Sequence, residues 1–196
     1  MVAIPQLLDK LYIEGAIISI DAIGTQVSIA QQILDKDAHY FLAVKDNQEA
    51  LNEQIIDAFR YNKPVDAATQ MDADHGRIEI RDCRILNADT IEDKDIMNRW
   101  PGLKTLIEVT STVDYGDHIA TTVRRYISDE YFLKAANFNM LARGHWSIEN
   151  PLHWNLDVNF LEDACRARKG FAAVNLSTIR KLAMQITKEH LLIELN

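Results

Sequence analysis

The sequence predicts an α/β fold with a β-rich stretch inside it, and three observations carry that prediction. Residues 16–45 read as strand, helix and strand. RIEIRDCRIL (77–86) alternates apolar and polar residues strictly, and two further β-rich runs follow it. From Asp129 onward the apolar spacing turns helical. A chain of 196 residues is long enough for one compact domain or for a core with a sizeable insertion.

Each element has a local reason. In QLLDKLYIE (6–14), Leu7, Leu8 and Leu11 share a helical face after Pro5, and Gly15 stops that helix. AIISIDA (16–22), bounded by Gly15 and Gly24, is a short apolar run of the kind that forms a buried strand. Thr25 can cap a helix carrying Val27, Ala30, Ile33 and Leu34, and HYFLAVK (39–45) is a second buried strand. Two strands joined by one helix imply a parallel pair with a right-handed crossover. A polar helix from about Gln48 to Tyr61 follows, with Leu51, Ile55, Ile56 and Phe59 on one side.

Residues 105–115 and 118–128 are β-rich and meet at Tyr115-Gly116-Asp117, a hairpin turn signal. The chain therefore divides into an α/β part (1–63), a β-rich insertion (64–128) and a helical part (129–196). Helices are expected over 130–143, 146–158 and 172–194, the last with Leu176, Ile179, Leu182, Ala183, Ile186 and Leu191 as its apolar face.

Composition narrows the function classes. Hydrophobic residues at 47% and charged residues at 26% fit a globular domain and argue against disorder. The net charge of −8 argues against a surface that binds nucleic acid everywhere. It leaves room for a local basic strip, because the field that matters is local. Basic residues cluster at Arg77, Arg81 and Arg84, at Arg124 and Arg125, and at Arg166, Arg168 and Lys169, either as solvated faces or as phosphate grips. Cys83 and Cys165 have no partner at metal-ligand spacing, which fits a reduced cytoplasmic setting. No secretory signal or membrane-length apolar run is visible, so no membrane partner is expected.

Two carboxylates stand out. Asp21 ends a buried strand, where ligands bind in open α/β sheets, or else it only caps the next helix. Glu149 lies in RGHWSIENPLHWNLDVNFLED (143–163), where His145, Glu149 and His153 are spaced to share a helical face. That spacing is not the zinc protease signature, and Pro151 disturbs a regular helix there. Asp157 lies about 80° around an ideal helix from Glu149, too far to share one metal. In DHGRIEIR (74–81), Arg77, Glu79 and Arg81 alternate onto one face, either a solvated face with cross-strand ion pairs or a phosphate or partner contact.

IDAIGTQ (20–26), LAVKDNQ (42–48), HGRIEIR (75–81), WPGL (100–103) and HWSIENPLHWNLDVNFLEDACRAR (145–168) together resemble the H-repeat-associated transposases of bacterial insertion sequences. The resemblance runs through essentially the whole chain, and its last segment is the most specific. It implies a DDE transposase with a ribonuclease H-like core, and a site of two aspartates and a glutamate binding two Mg²⁺ or Mn²⁺ ions. Asp21 matches the second carboxylate and Glu149 the third, so both are the expected catalytic and metal-binding residues. The β-rich stretch matches the insertion related transposases carry between them. Lys45, Asn47, His75, Arg77 and Arg81 lie in the matched motifs and are candidate DNA contacts.

Two metal ions about 4 Å apart activate an attacking water or 3′-hydroxyl and stabilise the leaving oxygen at phosphorus. The resemblance implies Mg²⁺-dependent DNA cleavage and strand transfer, with element ends and target DNA as partners. It also sets a gap: only twenty residues precede Asp21, and they match the helix leading into its strand. The core's first three strands and the first aspartate are therefore expected to be missing. A truncated chain, inactive alone, follows as an expectation, as does an apolar strand edge that favours self-association or pairing with full-length transposase. The alternatives are a non-catalytic regulator that binds DNA or transposase, and a metal-dependent nuclease.

Overall fold

The computed structural model describes residues 3–74, 77–146 and 156–194; the side chains of 74, 77, 146 and 187–194 are left out of the description. The chain forms two compact units, 1–145 and 146–196.

The first unit is built on one six-stranded sheet in the order β1-β2-β6-β5-β4-β3. Helix α1 (Ala3–Lys10) leads into β1 (Ile17–Ile20), and α2 (Val27–Leu34) crosses to β2 (His39–Val44). β1 and β2 are parallel, with Ile17 opposite His39 and Ile20 opposite Leu42. The expected strand–helix–strand unit is therefore present. After α3 (Glu49–Tyr61) come β3 (Asp66–Asp74), β4 (Arg77–Asn87), α4 (Lys94–Arg99), β5 (Thr105–Asp114) and β6 (Ile119–Ser128), and then α5 (Ala135–Trp146).

The β-rich stretch continues the sheet of β1 and β2. β6 pairs antiparallel with β2 from Phe41↔Ser128 to Val44↔Arg125. Its pairing with β5 runs much further, to Asp114↔Ile119. β6 and its neighbours thus extend as an antiparallel arm beyond the C-terminal ends of β1 and β2. The arm's β5–β6 turn forms where the sequence signals it: Gly116 sits at φ 87° and its N–H is accepted by the Asp114 carboxylate at 2.7 Å.

β2 explains why the sheet is covered on both faces. Its alternate residues feed two cores, as a near-continuous apolar strand requires. Tyr40, Leu42 and Val44 pack with Ile29, Ile33, Leu51, Ile55, Leu106 and Ile127 under α2 and α3. Phe41 and Ala43 pack on the other face with Cys83, Ile107, Val109, Tyr126 and Phe138 under α5. β1 lies at the sheet edge and is half-buried along its whole length. Among the described residues no strand pairs with its outer side.

β3 and α4 fall within the stretch read only as β-rich. β3 (DAATQMDAD) is rich in alanine and aspartate, which are poor strand formers, and it forms because β4 pairs along its full length. α4 has a legible start, since the Asp93 carboxylate accepts from the N–H groups of Asp95 and Ile96 at 2.9 and 3.1 Å. α5 begins at Ala135, later than the periodicity suggested, because the Asp66 carboxylate of β3 caps Ala135 N–H at 2.9 Å.

In the second unit α6 (Ala172–Glu194) matches the expected last helix. The Arg180 guanidinium ties it to the Phe160 carbonyl at 3.1 Å. Most of the helix expected over 146–158 lies outside the described residues. No described helix is long and apolar enough to cross a membrane.

Candidate active site

β1 delivers Asp21 to the C-terminal edge of the parallel pair. Its backbone is extended (φ −69°, ψ 162°), and a tight turn, Ala22–Gly24, begins immediately after it. Asp21 occupies the capping position of that turn, yet its side chain makes no capping hydrogen bond. The capping alternative for this carboxylate therefore does not hold. The carboxylate is about half exposed, and Lys45 Nζ lies 3.4 Å from Asp21 Oδ1. Lys45 is similarly exposed, so the pair adds only about 0–1 kcal/mol to stability. It sets the charge around Asp21 more than it holds the fold.

The turn behind Asp21 is fixed by residues from the motif after β2. Asn47 donates its amide to the Ala22 carbonyl, and Gln48 donates to the Thr25 carbonyl at 3.0 Å. Thr25 is fully buried, and its hydroxyl donates to the Ala43 carbonyl at 2.6 Å. Gly24 is needed sterically, because a Cβ there would stand 2.5 Å from Ile20 Cγ2 and 2.6 Å from Ile4 Cδ1. IDAIGTQ and LAVKDNQ are thus two halves of one device that sets the backbone of Asp21. Asn47, a candidate DNA contact, has its amide engaged inside that device. Gln48 was not singled out in the sequence, although its place beside Asn47 in the motif was the available signal.

Helix α5 brings a third motif to the same face of the sheet. Ser19 and Asp21 alternate onto one side of β1, and His145 Nδ1 lies 3.1 Å from Ser19 Oγ. His145 is four positions ahead of Glu149 in sequence. Glu149, His75 and His153 lie outside the described residues, as does the side chain of Arg77. Among the described residues no three His, Cys, Asp or Glu side chains cluster as a metal site. Asp21 supplies the oxygen donor a hard divalent ion takes, on an ordered turn and open to solvent.

Arg81 sits deeper. Its side chain is 6% exposed and lies between Asp72 at 2.6 Å and Glu79 at 3.2 Å. Arg143 of α5 reaches the same two carboxylates, at 2.8 and 3.6 Å. Buried Asn139, one turn earlier on α5, donates to the Arg81 carbonyl at 3.0 Å. The cross-strand ion pairs allowed by the sequence are therefore present, but the face is not solvated at Arg81, because α5 covers it. Among the described residues Arg81 Nε has no hydrogen-bond acceptor. The Arg81 hydrogen bond holds the Asp72 carboxyl below its ordinary range, with Arg143 adding to it. For Glu79 burial pushes upward, but the Ser111 hydroxyl, Arg81 and Arg143 outweigh it and keep the carboxyl low.

Comparison with known proteins gives a consistent picture. A family model described as a transposase DDE domain matches residues 1–186. The chain is 40% identical to YbfL of Escherichia coli K12, over 94% of this chain and 50% of that protein. It is 39% identical to YhhI of the same strain, named as an H repeat-associated transposase, over 94% and 50%. With YncI of Escherichia coli O157:H7, named as a transposase, identity is 38% over 95% and 49%. The chain thus spans about half the length of the curated relatives it matches.

Proposed function

This chain belongs to the transposase DDE domain family, and on that premise we propose that it serves DNA transposition, with Asp21 and Glu149 as two metal-binding carboxylates of a phosphodiester-cleaving site. The observation that carries the reading is the state of Asp21. Its carboxylate ends a parallel strand, does no capping, and rests on a turn pinned by Asn47, Gln48 and Thr25. Apart from its exposed pairing with Lys45, the carboxylate is about half open to solvent on that hydrogen-bonded turn. The parallel pair β1–β2 with its helical crossover supports assignment to part of a ribonuclease H-like core, with the antiparallel arm as the insertion.

When bound, two Mg²⁺ or Mn²⁺ ions would activate the attacking oxygen and stabilise the leaving one in an in-line displacement at phosphorus. The protein's part is positioning. Asp21 offers oxygen ligands at fixed geometry, and Lys45 beside it offsets negative charge when a DNA phosphate approaches. His145 anchors the end of α5 to β1 shortly before Glu149. Arg77 and His75 are proposed DNA contacts. Arg81 acts behind the surface by holding α5, while Asn47, itself exposed, holds the Asp21 turn and remains a proposed DNA contact.

Within these 196 residues the motifs supply two of the three carboxylates that the resemblance implies. The chain alone is therefore expected not to nick supercoiled DNA carrying element ends, with Mg²⁺ or with Mn²⁺. Mixing it with a full-length relative should give either altered cleavage, through mixed assembly, or none. Robust nicking by the chain alone that is lost in Asp21→Ala would refute the incomplete-site reading and establish an intact enzyme. Nicking that survives Asp21→Ala would refute the assignment of Asp21.

A further inference from the structure

We propose that Arg124 is a phosphate-gripping residue of the Asp21 site, acting with Lys45 on the DNA backbone at the scissile strand. The inference rests on the reading of Asp21 as part of a DNA-cleaving centre. It adds a binding residue that the sequence motifs did not single out for the site.

Arg124 and Arg125 are adjacent in β6, and a strand sends neighbouring side chains to opposite faces. Arg125 goes to the face under α2 and α3. Its Nε binds the buried Glu108 carboxylate at 3.0 Å, and Arg84 pairs with the same carboxylate. Arg84 in turn lies over the Phe59 ring of α3, 5.3 Å from its centre. That arginine pair therefore neutralises one buried acid and belongs to the fold.

Arg124 takes the other face. It stands opposite Val109 in the β5–β6 register, and both Val109 and Tyr126 belong to the core beneath α5. Ser19 faces the same side, since its hydroxyl lies 3.1 Å from His145 of α5, and Asp21 follows it by two residues. Val44 of β2 is opposite Arg125, so continuing the antiparallel register by one residue sets Arg124 opposite Lys45. Lys45 is 3.4 Å from Asp21. The order across the strand ends is thus Asp21 just past β1, Lys45 just past β2 and Arg124 on β6. Arg124 is only partly exposed, in keeping with a side chain set into a surface rather than trailing from it.

A carboxylate with two cations in line beside it suits a phosphodiester. The acid side holds the metal, and the basic side takes the non-bridging oxygens of the backbone. Arginine adds a planar pair of donors to the point charge of lysine. A chain with a net charge of −8 binds DNA only where such a local strip overcomes the general repulsion.

The test is DNA affinity over a salt series, read by fluorescence anisotropy with a labelled duplex carrying element ends. Wild type, Arg124→Ala, Arg124→Lys and Arg125→Ala are compared without divalent metal, each with a thermal melt. Loss of one phosphate contact makes the slope of log K against log salt shallower by about 0.9. Arg124→Ala should show that change while the melt confirms a folded chain, and Arg124→Lys should restore the slope. Arg125→Ala should lower the melting temperature and leave the slope unchanged. An unchanged slope in Arg124→Ala overturns the inference while the DNA-binding reading stands. Absence of salt-dependent binding in wild type overturns both.

Discussion

Replacing Phe138 with alanine is expected to cost about 3–5 kcal/mol of folding stability, the range for removing a fully buried aromatic side chain. Phe138 is fully buried and stacks on Phe41 with ring centres 6.0 Å apart. Phe41 stacks in turn on Tyr126 at 4.3 Å. The three rings link α5, β2 and β6, and the neighbours left by alanine are rigid strands that cannot collapse into the void. Chemical denaturation should show a lowered midpoint with little change in slope. Met140 lies on the same helix but is 57% exposed, so Met140→Ala should change stability by no more than about 0.5 kcal/mol. Equal effects from the two substitutions would mean that α5 does not pack on the sheet as described. The loss should reach the site as well, since α5 carries His145 to Ser19.

Arg81→Ala is the second large effect, at about 2–3 kcal/mol. Removing one member of a buried ion pair costs about 3–5 kcal/mol when the partner is left in a dry interior. The value is discounted here because Asp72 and Glu79 remain 42% and 22% exposed, and water can reach them. The effect should also depend on pH. Both carboxyls are held below their ordinary values of 3.8 and 4.5 in the folded chain. A depressed carboxyl stabilises the fold fully above its unfolded value, and that stabilisation is lost as the pH falls through the folded one. The stability gap between wild type and Arg81→Ala should therefore be constant near neutrality and shrink at pH values below the ordinary carboxyl range. A gap that stays constant through acid would assign the loss to packing of the arginine stem alone.

Several parts of the site were legible because they depend on local pattern. The end of β1 at Asp21, the crossover helix and the hairpin at Gly116 follow from apolar runs and their punctuation. The engagement of Asn47 with Ala22 was not legible, since 25 positions separate them and only the β1–β2 pairing makes them neighbours. The opposite fates of Arg124 and Arg125 were half legible. Alternation says that they part, but only the packing of α5 and α3 says which one meets Glu108.

Asp21 shows the division most clearly. By itself the sequence determined that an acid ends an apolar strand, though that strand proves to be a half-buried edge rather than a buried one, that it lies in a transposase-like motif, and that Glu149 stands in another. Those facts depend on residue order, which local propensity and motif spacing read directly. The tertiary structure alone decided that the carboxylate does no capping and has Lys45 beside it. It also decided that the 64–128 stretch extends the same sheet and that Arg81 is enclosed by α5. Sheet order and helix placement are long-range choices. They are set by which apolar faces can be buried together, and no window of sequence contains both partners.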